Sequence, residues 1–340
     1  DGGQQGNGAS WGGPMKAYLG RRLARVVLLM LAVSALCFLL TRLAPGSFFD
    51  EIRLNPQVSP QTIAALQARY GLNQPLPLRY ARWLASVARG DFGFSIAYNT
   101  PVAQLMWAPA EHTLLLGAIS MLLCWLISVP LAVWSASYER SVLDRGVSAL
   151  TSLLISVPEI VLALGLLAFA VRSHALPAGG MTAVGFDELG AWGKAADIGR
   201  HFLVPVAVLV LVGTPLIVRH LRASILEVLH APFVEAARGC GIGGARLLFR
   251  HVLPAAANPA ISLFGLSLAA LLSGSLLVEV VTGWPGLGPL ILDATLARDL
   301  DVVVAGAMLA AAMMVVGSLA ADLLLLAADP RIRTGSPDAA

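Results

Sequence analysis

Three carboxylic acids lie inside long apolar runs of the sequence or at their ends: Glu159, Glu279 and Asp322. A charged side chain at membrane depth costs roughly 2.5–3.5 kcal/mol on insertion scales, so such groups normally face the interior of a helix bundle or a cavity. For Glu159, which follows Val157-Pro158, two roles stay open: lining a pathway for a solute, or a structural hydrogen bond at a proline kink. We expect Glu279 at the outer interface, where it could contact a delivered solute or its carrier protein, and a structural role for Asp322.

Other reactive residue types do not form a recognisable catalytic set. Ser273-Gly-Ser275 superficially resembles the serine of an intramembrane protease, but no histidine is placed to activate it. The histidines include no H-E-x-x-H pair, and Cys37, Cys124 and Cys240 lack metal or redox spacing. The sequence contains no G-x-x-x-x-G-K-[ST] loop, so the chain should not bind ATP itself. We therefore predict no catalytic residue, cofactor or metal site in this chain.

A basic, glycine-broken segment, EAARGCGIGGARLLFRHVLP, lies between two long apolar runs at residues 235–254. Such a segment can be neither a membrane span nor a soluble core. It must lie in water beside the bilayer, where it offers a shaped surface to another molecule. The candidate contact residues are Glu235, Ala236, Ala237, Gly241, Arg246, Arg250, His251 and Pro254.

The local pattern of this segment predicts two short helices around a reversal. Ala231-Pro232 is expected to begin the first helix, which contains the Glu-Ala-Ala sequence. Gly241 and the pair Gly243-Gly244 permit positive φ and a sharp turn. A second short helix is expected over Ala245–His251, and Pro254 is expected to close the segment before the next apolar run.

Composition indicates an integral membrane protein. The chain has 340 residues, of which 57% are hydrophobic and 13% are charged, and its mean hydropathy is +0.76. Soluble globular domains have roughly 25% charged residues. The net charge of +3 is small, and no basic stripe is interleaved with aromatic residues, which argues against nucleic acid as a partner.

The apolar runs predict an all-α membrane protein with six transmembrane helices, because a spanning helix needs about 20 mostly apolar residues. The six predicted spans are Leu23–Leu43, Thr113–Trp134, Val147–Val171, Phe202–Val218, Ile261–Val281 and Val302–Ala328. The first is too long for a simple signal peptide and has no small-residue cleavage site, so we interpret it as an uncleaved span. The fourth is short and contains Pro205 and Pro215.

The segments between the spans divide the chain further. The predicted divisions are a disordered tail or cloning remnant at 1–14, an N-terminus with the first span at 15–43, an external loop domain at 44–110, a core at 111–330 that includes the basic loop at 219–256, and a tail at 331–340. Within the external domain we predict helices over Ser59–Tyr70 and Pro75–Arg89, followed by a turn at Gly90–Gly93. The loop Arg172–Arg200 is expected to be irregular with one short helix.

Basic residues fall in four groups that six spans would bring to one side of the membrane. These groups precede the first span, separate the second from the third, separate the fourth from the fifth, and follow the sixth: Lys16, Arg21, Arg22 and Arg25; Arg140 and Arg145; Arg219, Arg222, Arg238, Arg246 and Arg250; Arg331 and Arg333. The positive-inside rule makes that side the cytoplasm. Both termini are therefore predicted to be cytoplasmic.

The spacing of Glu235-Ala-Ala, Gly241 and Leu253-Pro254 resembles the EAA loop of ABC-importer permeases. Further stretches resemble the B-type permeases of dipeptide, oligopeptide and nickel importers. They begin at Tyr70 (YGLNQPLP), Tyr80 (YARW), Gly90 (GDFGFS), Arg222 (RASILEVL), Val278 (VEVVTGWPGLG), Arg298 (RDL) and Asp329 (DPRIR). The resemblance runs from about Tyr18 to Arg333. One departure is Pro254-Ala255 after His251, where the family commonly has an Arg-Asn pair.

The resemblance implies the type I permease fold and a role as the translocation subunit of an ATP-driven, binding-protein-dependent importer in the bacterial inner membrane. It implies docking of the EAA loop on ABC ATPase subunits, which would bind ATP and Mg. It also implies a second homologous permease subunit, an external solute-binding protein and a lipid bilayer around the spans. Di- or oligopeptides are the implied cargo, with nickel and glutathione-like solutes left open.

Two alternatives from other classes make different predictions. A proton-coupled secondary transporter or channel would use Glu159 and Asp322 as a relay and would work without any ATPase. An intramembrane hydrolase would lose activity in Ser273→Ala.

Overall fold

The computed structural model describes residues 12–43, 61, 74–174 and 176–328. The helices are α1 (Gly12–Leu43), α2 (Leu76–Val87), α3 (Val102–Ser137), α4 (Val142–Ser156), α5 (Glu159–Ser173), α6 (Ala191–Leu229), α7 (Pro232–Gly239), α8 (Gly244–Leu247), α9 (Leu253–Ala255), α10 (Ala257–Thr282), α11 (Leu287–Leu296) and α12 (Leu300–Ala328). The strands β1 (Phe94–Ser95) and β2 (Thr100–Pro101) form an antiparallel pair, with Phe94 opposite Pro101. The predicted all-α class is confirmed.

Five helices of the described residues are long and apolar enough to cross a membrane: α1, α3, α6, α10 and α12. The third predicted span, Val147–Val171, is instead two helices, α4 and α5, which meet at an angle of 97°. Pro158 lacks an N–H and its ring disfavours a helical conformation at the preceding residue. Val157 is accordingly extended, with φ −91° and ψ 123°. The described residues therefore contain six candidate spans if this broken pair counts as one.

Several boundaries differ from the sequence prediction. α1 begins at Gly12, so Gly12–Pro14 belong to a helix and not to the predicted tail. α6 begins at Ala191, eleven residues before the predicted fourth span, and continues through Pro205 and Pro215. Its 39 residues reach roughly 58 Å at 1.5 Å per residue, well beyond the hydrocarbon thickness of about 30 Å. The predicted irregular loop, Arg172–Arg200, is therefore shorter than expected, because α6 occupies its second part. Its described residues include a 3₁₀ turn at Phe186–Glu188.

The main apolar core lies where α3, α6 and α10 pack together. Leu116, Val208 and Ile217 are fully buried there. Trp284, which follows α10, is also fully buried and packs on Phe202 with 4.4 Å between ring centroids. Its Nε1 donates to the carbonyl of His112 at 3.2 Å, so the loop after α10 is fixed to α3.

The predicted helix of Pro75–Arg89 is confirmed as α2, which packs on the C-terminal part of α1. Trp83 of α2 is buried against Phe38 of α1, with 5.4 Å between ring centroids, and the same cluster contains Val304 of α12. The other predicted external helix, Ser59–Tyr70, lies outside the described residues apart from Gln61. The predicted tail at 331–340 and residues 1–11 lie outside them as well.

The β1–β2 hairpin is tied to the start of α12 through one carboxylate. Ser95 Oγ donates to Asp299 Oδ2 at 2.7 Å, and the backbone N–H of Ala97 donates to the same oxygen at 3.1 Å. The predicted turn before the hairpin is present, with φ +83° at Gly90 and +96° at Gly93. These contacts fix a compact layer at the end of the bundle opposite α7–α9.

Candidate functional site

The basic segment between α6 and α10 (residues 230–256, called the connecting segment below) begins with the short helix α7. Pro232 stands at its first position, where a missing N–H costs nothing. The helix ends in a Schellman motif: Gly241 N donates to Arg238 O at 2.9 Å and Ile242 N donates to Ala237 O at 3.1 Å. Gly241 has φ +81°, the left-handed conformation that this motif requires. The first predicted helix and its glycine stop are therefore confirmed.

The second half of the connecting segment is helical, but differently from the prediction. Gly244 has φ +59° and opens α8. A π-helical turn over Leu248–Val252 follows, and then α9, which contains Pro254. Pro254 has no N–H to donate to the carbonyl of Arg250, and a wider turn immediately before a proline accommodates that loss. Pro254 therefore lies within helical structure and does not close the segment, which corrects the prediction.

The connecting segment is anchored on one side only. Val234, Leu247 and Val252 are buried and belong to the main core. On the opposite side Phe233 and Phe249 are 49% and 65% exposed. A helix pair that is fixed to a core by apolar residues and presents aromatic rings outward has the character of a protein interface.

The predicted contact residues lie mostly on this outward side. Glu235, Ala236, Gly241, Arg246, Arg250 and Pro254 are exposed, whereas Ala237 and His251 are half-buried. Glu235, Arg246 and Arg250 form no side-chain hydrogen bond or ion pair with another residue that the structure describes. Their charges are thus free to pair with a partner surface.

A partly buried ion pair next to the connecting segment was missed by sequence reasoning. Arg222 of α6 donates to Asp144 of α4 through Nε to Oδ1 at 2.7 Å and through Nη2 to Oδ2 at 2.8 Å. Ser135 Oγ, on α3, also donates to Oδ1 at 2.5 Å, and Arg140 N donates to Oδ2 at 2.9 Å. Asp144 is 4% exposed. Bidentate, charge-assisted bonds of this kind are the strong ones, so this cluster joins three helices at one point.

Only part of this cluster could be found in the sequence. Ser141 caps α4 by accepting from Asp144 N at 3.1 Å, and Ser-x-x-Asp before an apolar run is a recognisable start of a helix. Five arginines lie between the fourth and fifth spans. Which of them pairs with Asp144 depends on the packing of α6 against α4, and the sequence does not specify that.

The prediction that Glu279 contacts a delivered solute is wrong for this structure, because Glu279 is fully buried. α10 ends at Thr282, and Gly283, with φ +64°, turns the chain back over the Glu279 side chain. Oε2 then accepts from Gly288 N at 2.8 Å, and Thr113 Oγ1 accepts from Leu287 N at 2.8 Å. The first two N–H groups of α11 are therefore satisfied by different side chains, that of Leu287 by Thr113 and that of Gly288 by the Glu279 carboxylate, and a helix N-terminus favours such acceptors.

Glu159 is the first residue of α5, at the break in the third span. Its Oε1 is buried and has no hydrogen-bond partner among the described residues. The carboxyl group lines a cavity of about 110 Å³ between α6 and α10. The structural hydrogen bond thus finds no partner in the described part of the chain, and the pathway role stays a prediction.

Two further residues singled out in the sequence, Asp322 and Ser273, are not among the described residues that line the cavity beside Glu159. Asp322 lies on α12, and its side chain is outside the described residues. Ser273 is exposed on α10.

Comparisons with known proteins cover nearly the whole chain. The family described as "Binding-protein-dependent transport system inner membrane component" matches residues 128–334, and its N-terminal companion matches residues 15–105. The oligopeptide transport system permease protein AppB of Bacillus subtilis is 33% identical over 94% of this chain and 99% of its own length. The oligopeptide permease OppB of Salmonella typhimurium and the dipeptide permease DppB of Alkalihalophilus pseudofirmus are each 31% identical, over 94% of this chain and 100% of theirs.

A solved structure gives the same fold. A chain of the MetNI methionine ABC transporter, crystallised in inward-facing conformations, superposes with a TM-score of 0.50 at 19% identity and covers 66% of this chain and 97% of its own. At that identity the likeness concerns the fold alone. The matches over both parts of the sequence and the shared arrangement of helices lead to one conclusion: this chain belongs to the family of binding-protein-dependent transport system inner-membrane components, the permease subunits of ABC importers.

Proposed function

We propose that this chain conducts di- or oligopeptides across the bacterial inner membrane, and that its connecting segment docks on an ABC ATPase subunit. The observation that supports the docking is the outward surface of α7–α9. It presents Phe233, Phe249 and unpaired charges, while Val234, Leu247 and Val252 fix it to the core. The peptide cargo is supported by the names of the relatives, which are oligopeptide and dipeptide permeases. Nickel and glutathione-like solutes remain alternatives.

ATP and Mg bind in the partner ATPase under this proposal, and ATP is hydrolysed there. The support is that the sequence lacks the G-x-x-x-x-G-K-[ST] loop that holds nucleotide phosphates. The permease then contributes no chemical step. It converts closure of the ATPase subunits into a movement of the membrane-spanning helices.

The route of this conversion runs from α7 into α6. α7 follows α6 after only His230 and Ala231, and Arg222 ties the same end of α6 to Asp144 on α4 and Ser135 on α3. A push on α7 therefore moves three helices together. Such joint rotation of packed helices is the rigid-body rocking known from many switching proteins.

The subunit is oriented with the connecting segment and both termini in the cytoplasm. The basic residues on that side support this orientation through the positive-inside rule. The external solute-binding protein then docks on the opposite side, where α2 and the hairpin form a folded layer. A second homologous permease completes the pathway within the lipid bilayer.

The test is reconstitution. The tagged chain is purified in mild detergent from its host, and the associated subunits are identified by mass spectrometry and placed in proteoliposomes. We expect a P-loop ATPase, a second permease and peptide uptake that requires ATP. Peptide uptake by this chain alone, driven by a proton gradient, would instead support the relay of Glu159 and Asp322.

A further inference from the structure

A cavity in the membrane-spanning part has a single charged side chain, Glu159, among the described residues that line it. Its volume is about 110 Å³, and its walls come from α5, α6 and α10. Apart from Glu159 and Ser267 the lining residues are apolar or glycine, such as Leu209, Val212 and Leu271. The Ser267 hydroxyl is already engaged, because it donates to Phe264 O at 2.9 Å and accepts from Trp125 Nε1 at 3.2 Å.

One glycine keeps the space beside the carboxyl group open. A Cβ added at Gly274 of α10 would lie 2.9 Å from Glu159 Oε1. Gly213 of α6 also lines the cavity, but a Cβ added there would lie 3.0 Å from Cys124 Sγ and 3.2 Å from Leu271 Cδ2, away from the acid. The backbone of α10 thus leaves room for the carboxyl group.

Glu159 Oε1 is buried but accepts no hydrogen bond from the residues that the structure describes. Buried polar atoms in native proteins nearly always have a partner, and an acid at membrane depth normally pairs with a cation or lines a pathway. The missing partner is therefore positively charged or a hydrogen-bond donor, and it comes from outside the described chain.

We infer that the Glu159 carboxylate is a binding position for a primary ammonium group of the cargo within the pathway, an inference that rests on the proposed peptide function. Peptides have an α-ammonium group with an ordinary pKa of about 7.7–8.0, so they are largely cationic at that end at neutral pH. One carboxylate and water can satisfy the three donors of an ammonium group.

A metal cargo fits this position poorly. Nickel requires several nitrogen, sulfur or oxygen ligands. Among the described residues no group of three or more His, Cys, Asp or Glu side chains could hold a metal ion. An alkylammonium group needs only the one acid and apolar walls for its carbon atoms, and the cavity provides both.

The depth of Glu159 in the membrane would also let it contact the cargo early during import. Gly274 lies eight residues before Thr282, the last residue of α10, which is roughly 12 Å along the helix. Under the proposed orientation that end faces the solute-binding protein. A cargo released from above would meet Glu159 in the outer half of the membrane.

The test is thiol labelling of the assembled importer. Leu216, on the cavity wall, is replaced by cysteine in a background where Cys37, Cys124 and Cys240 are alanine. The labelling rates of 2-aminoethyl and 2-sulfonatoethyl methanethiosulfonate are compared by mass spectrometry of this subunit. We expect the ratio of cation to anion rates to fall by about tenfold or more in Glu159→Gln, because one negative charge near the thiol is removed.

A second arm distinguishes the cargo from a basic side chain of the partner permease. A transported peptide should slow labelling by the 2-aminoethyl reagent, and its analogue without the N-terminal amine should slow it less. In Glu159→Gln the peptide and its analogue should slow labelling by the 2-aminoethyl reagent to the same extent. Glu159→Asp should retain the cation preference, and Glu188→Gln, an exposed external acid, should behave as the parent.

Three results would overturn the inference. A cation preference that is the same with and without Glu159 would mean that the acid is already paired within the complex. If the peptide and its analogue without the amine slow labelling of the parent equally, the ammonium group of the cargo binds at another position. If neither reagent labels the cysteine at position 216, the cavity is not part of the solute pathway. Peptide uptake by the parent importer is measured separately, so failure of the proposed function and failure of this inference are distinguishable.

Discussion

Arg222 and Asp144 form a partly buried, two-bonded ion pair, with Nε–Oδ1 at 2.7 Å and Nη2–Oδ2 at 2.8 Å, although they lie 78 positions apart in the chain. The pair joins the end of α6, next to the connecting segment, to the beginning of α4. Ser135 adds α3 to the same junction. The helices that would receive a push from an ATPase are therefore linked at the level where the push arrives.

Removing one partner of this pair should be more harmful than removing both. Arg222→Gln leaves the Asp144 carboxylate without its charge partner, and the cost should lie between the roughly 1 kcal/mol of a surface pair and the roughly 3–5 kcal/mol of a fully buried one, because Arg222 is 26% exposed. The double variant Asp144→Asn with Arg222→Gln should recover part of that loss. The midpoint of thermal unfolding is measured for each variant of the detergent-solubilised complex, with size-exclusion chromatography as the readout, and the midpoints of the single and double variants are compared.

Glu139→Gln is the matched control for this pair. Glu139 is a nearby exposed acid that lies 3.4 Å from His230, and surface pairs of this kind contribute about 0–1 kcal/mol. If Arg222→Gln and Glu139→Gln shift the midpoint of unfolding equally, the partly buried pair does not have the structural role assigned to it.

Gly241 should be far more sensitive than its neighbour Gly243. Gly241 has φ +81°, whereas Gly243 is extended with φ −140°. Gly241→Pro cannot adopt the required φ and should abolish ATP-driven uptake while the protein still inserts into the membrane. Gly241→Ala should cost about 1–2 kcal/mol through its left-handed conformation alone. Uptake in proteoliposomes and membrane fractionation give the two readouts.

Gly243→Ala is the comparison for Gly241→Ala, since an added Cβ meets nothing within 4 Å at either position. Equal loss of uptake in the two variants would mean that the Schellman motif at the end of α7 is not needed for coupling.

Reversing the charge of Glu235 should separate the permease from its ATPase. Glu235 is exposed on α7 and has no ion-pair partner among the described residues. Glu235→Arg should therefore reduce co-purification of the ATPase and ATP-driven uptake together, with little effect on folding. Glu188→Arg, an equal charge change on the opposite side, should leave both unchanged. Full ATP-driven uptake in Glu235→Arg would remove the connecting segment from the docking surface.

A methyl group at Gly286 should disturb the turn that covers Glu279. A Cβ there would collide with the Glu279 carboxyl group and with Thr113 Oγ1. Overpacking of this kind costs typically about 1–3 kcal/mol. Gly199→Ala in α6, where an added Cβ meets nothing within 4 Å, should be neutral or stabilising. The midpoint of thermal unfolding compares the two, and a Gly286→Ala variant as stable as the parent would contradict the packing described here.

Much of the fold could be predicted because membrane spans have a strong local signal. Length and apolar composition located α1, α3, α6, α10 and α12, and proline and glycine positions located α7 and its end. The 97° break at Val157-Pro158 was not predicted, since a proline in a membrane helix can produce a slight kink or a full break. The outcome depends on how the two halves pack.

The site was predictable only where its residues are adjacent in sequence. Glu235 and Gly241 lie within one helix and its stop, so their exposure and backbone geometry follow from local pattern. The Asp144–Arg222 pair and the burial of Glu279 depend on contacts between distant elements. For Glu279 the decisive feature is the reversal at Gly283, which folds the next residues back over an acid that the sequence places at a helix end.

Pro205 and Pro215 divide α6 into outer, middle and inner lengths, and the middle and inner lengths contact different parts of the structure. Each proline leaves one carbonyl in the preceding turn without its helical donor, and bending is easiest there. The inner length includes Arg222 and leads into α7, whereas the middle length supplies Leu209, Val212 and Gly213 to the wall beside Glu159. Under the proposed function we therefore expect α6 to bend at Pro215 when the ATPase subunits close, so that the inner length moves before the wall beside Glu159 changes shape.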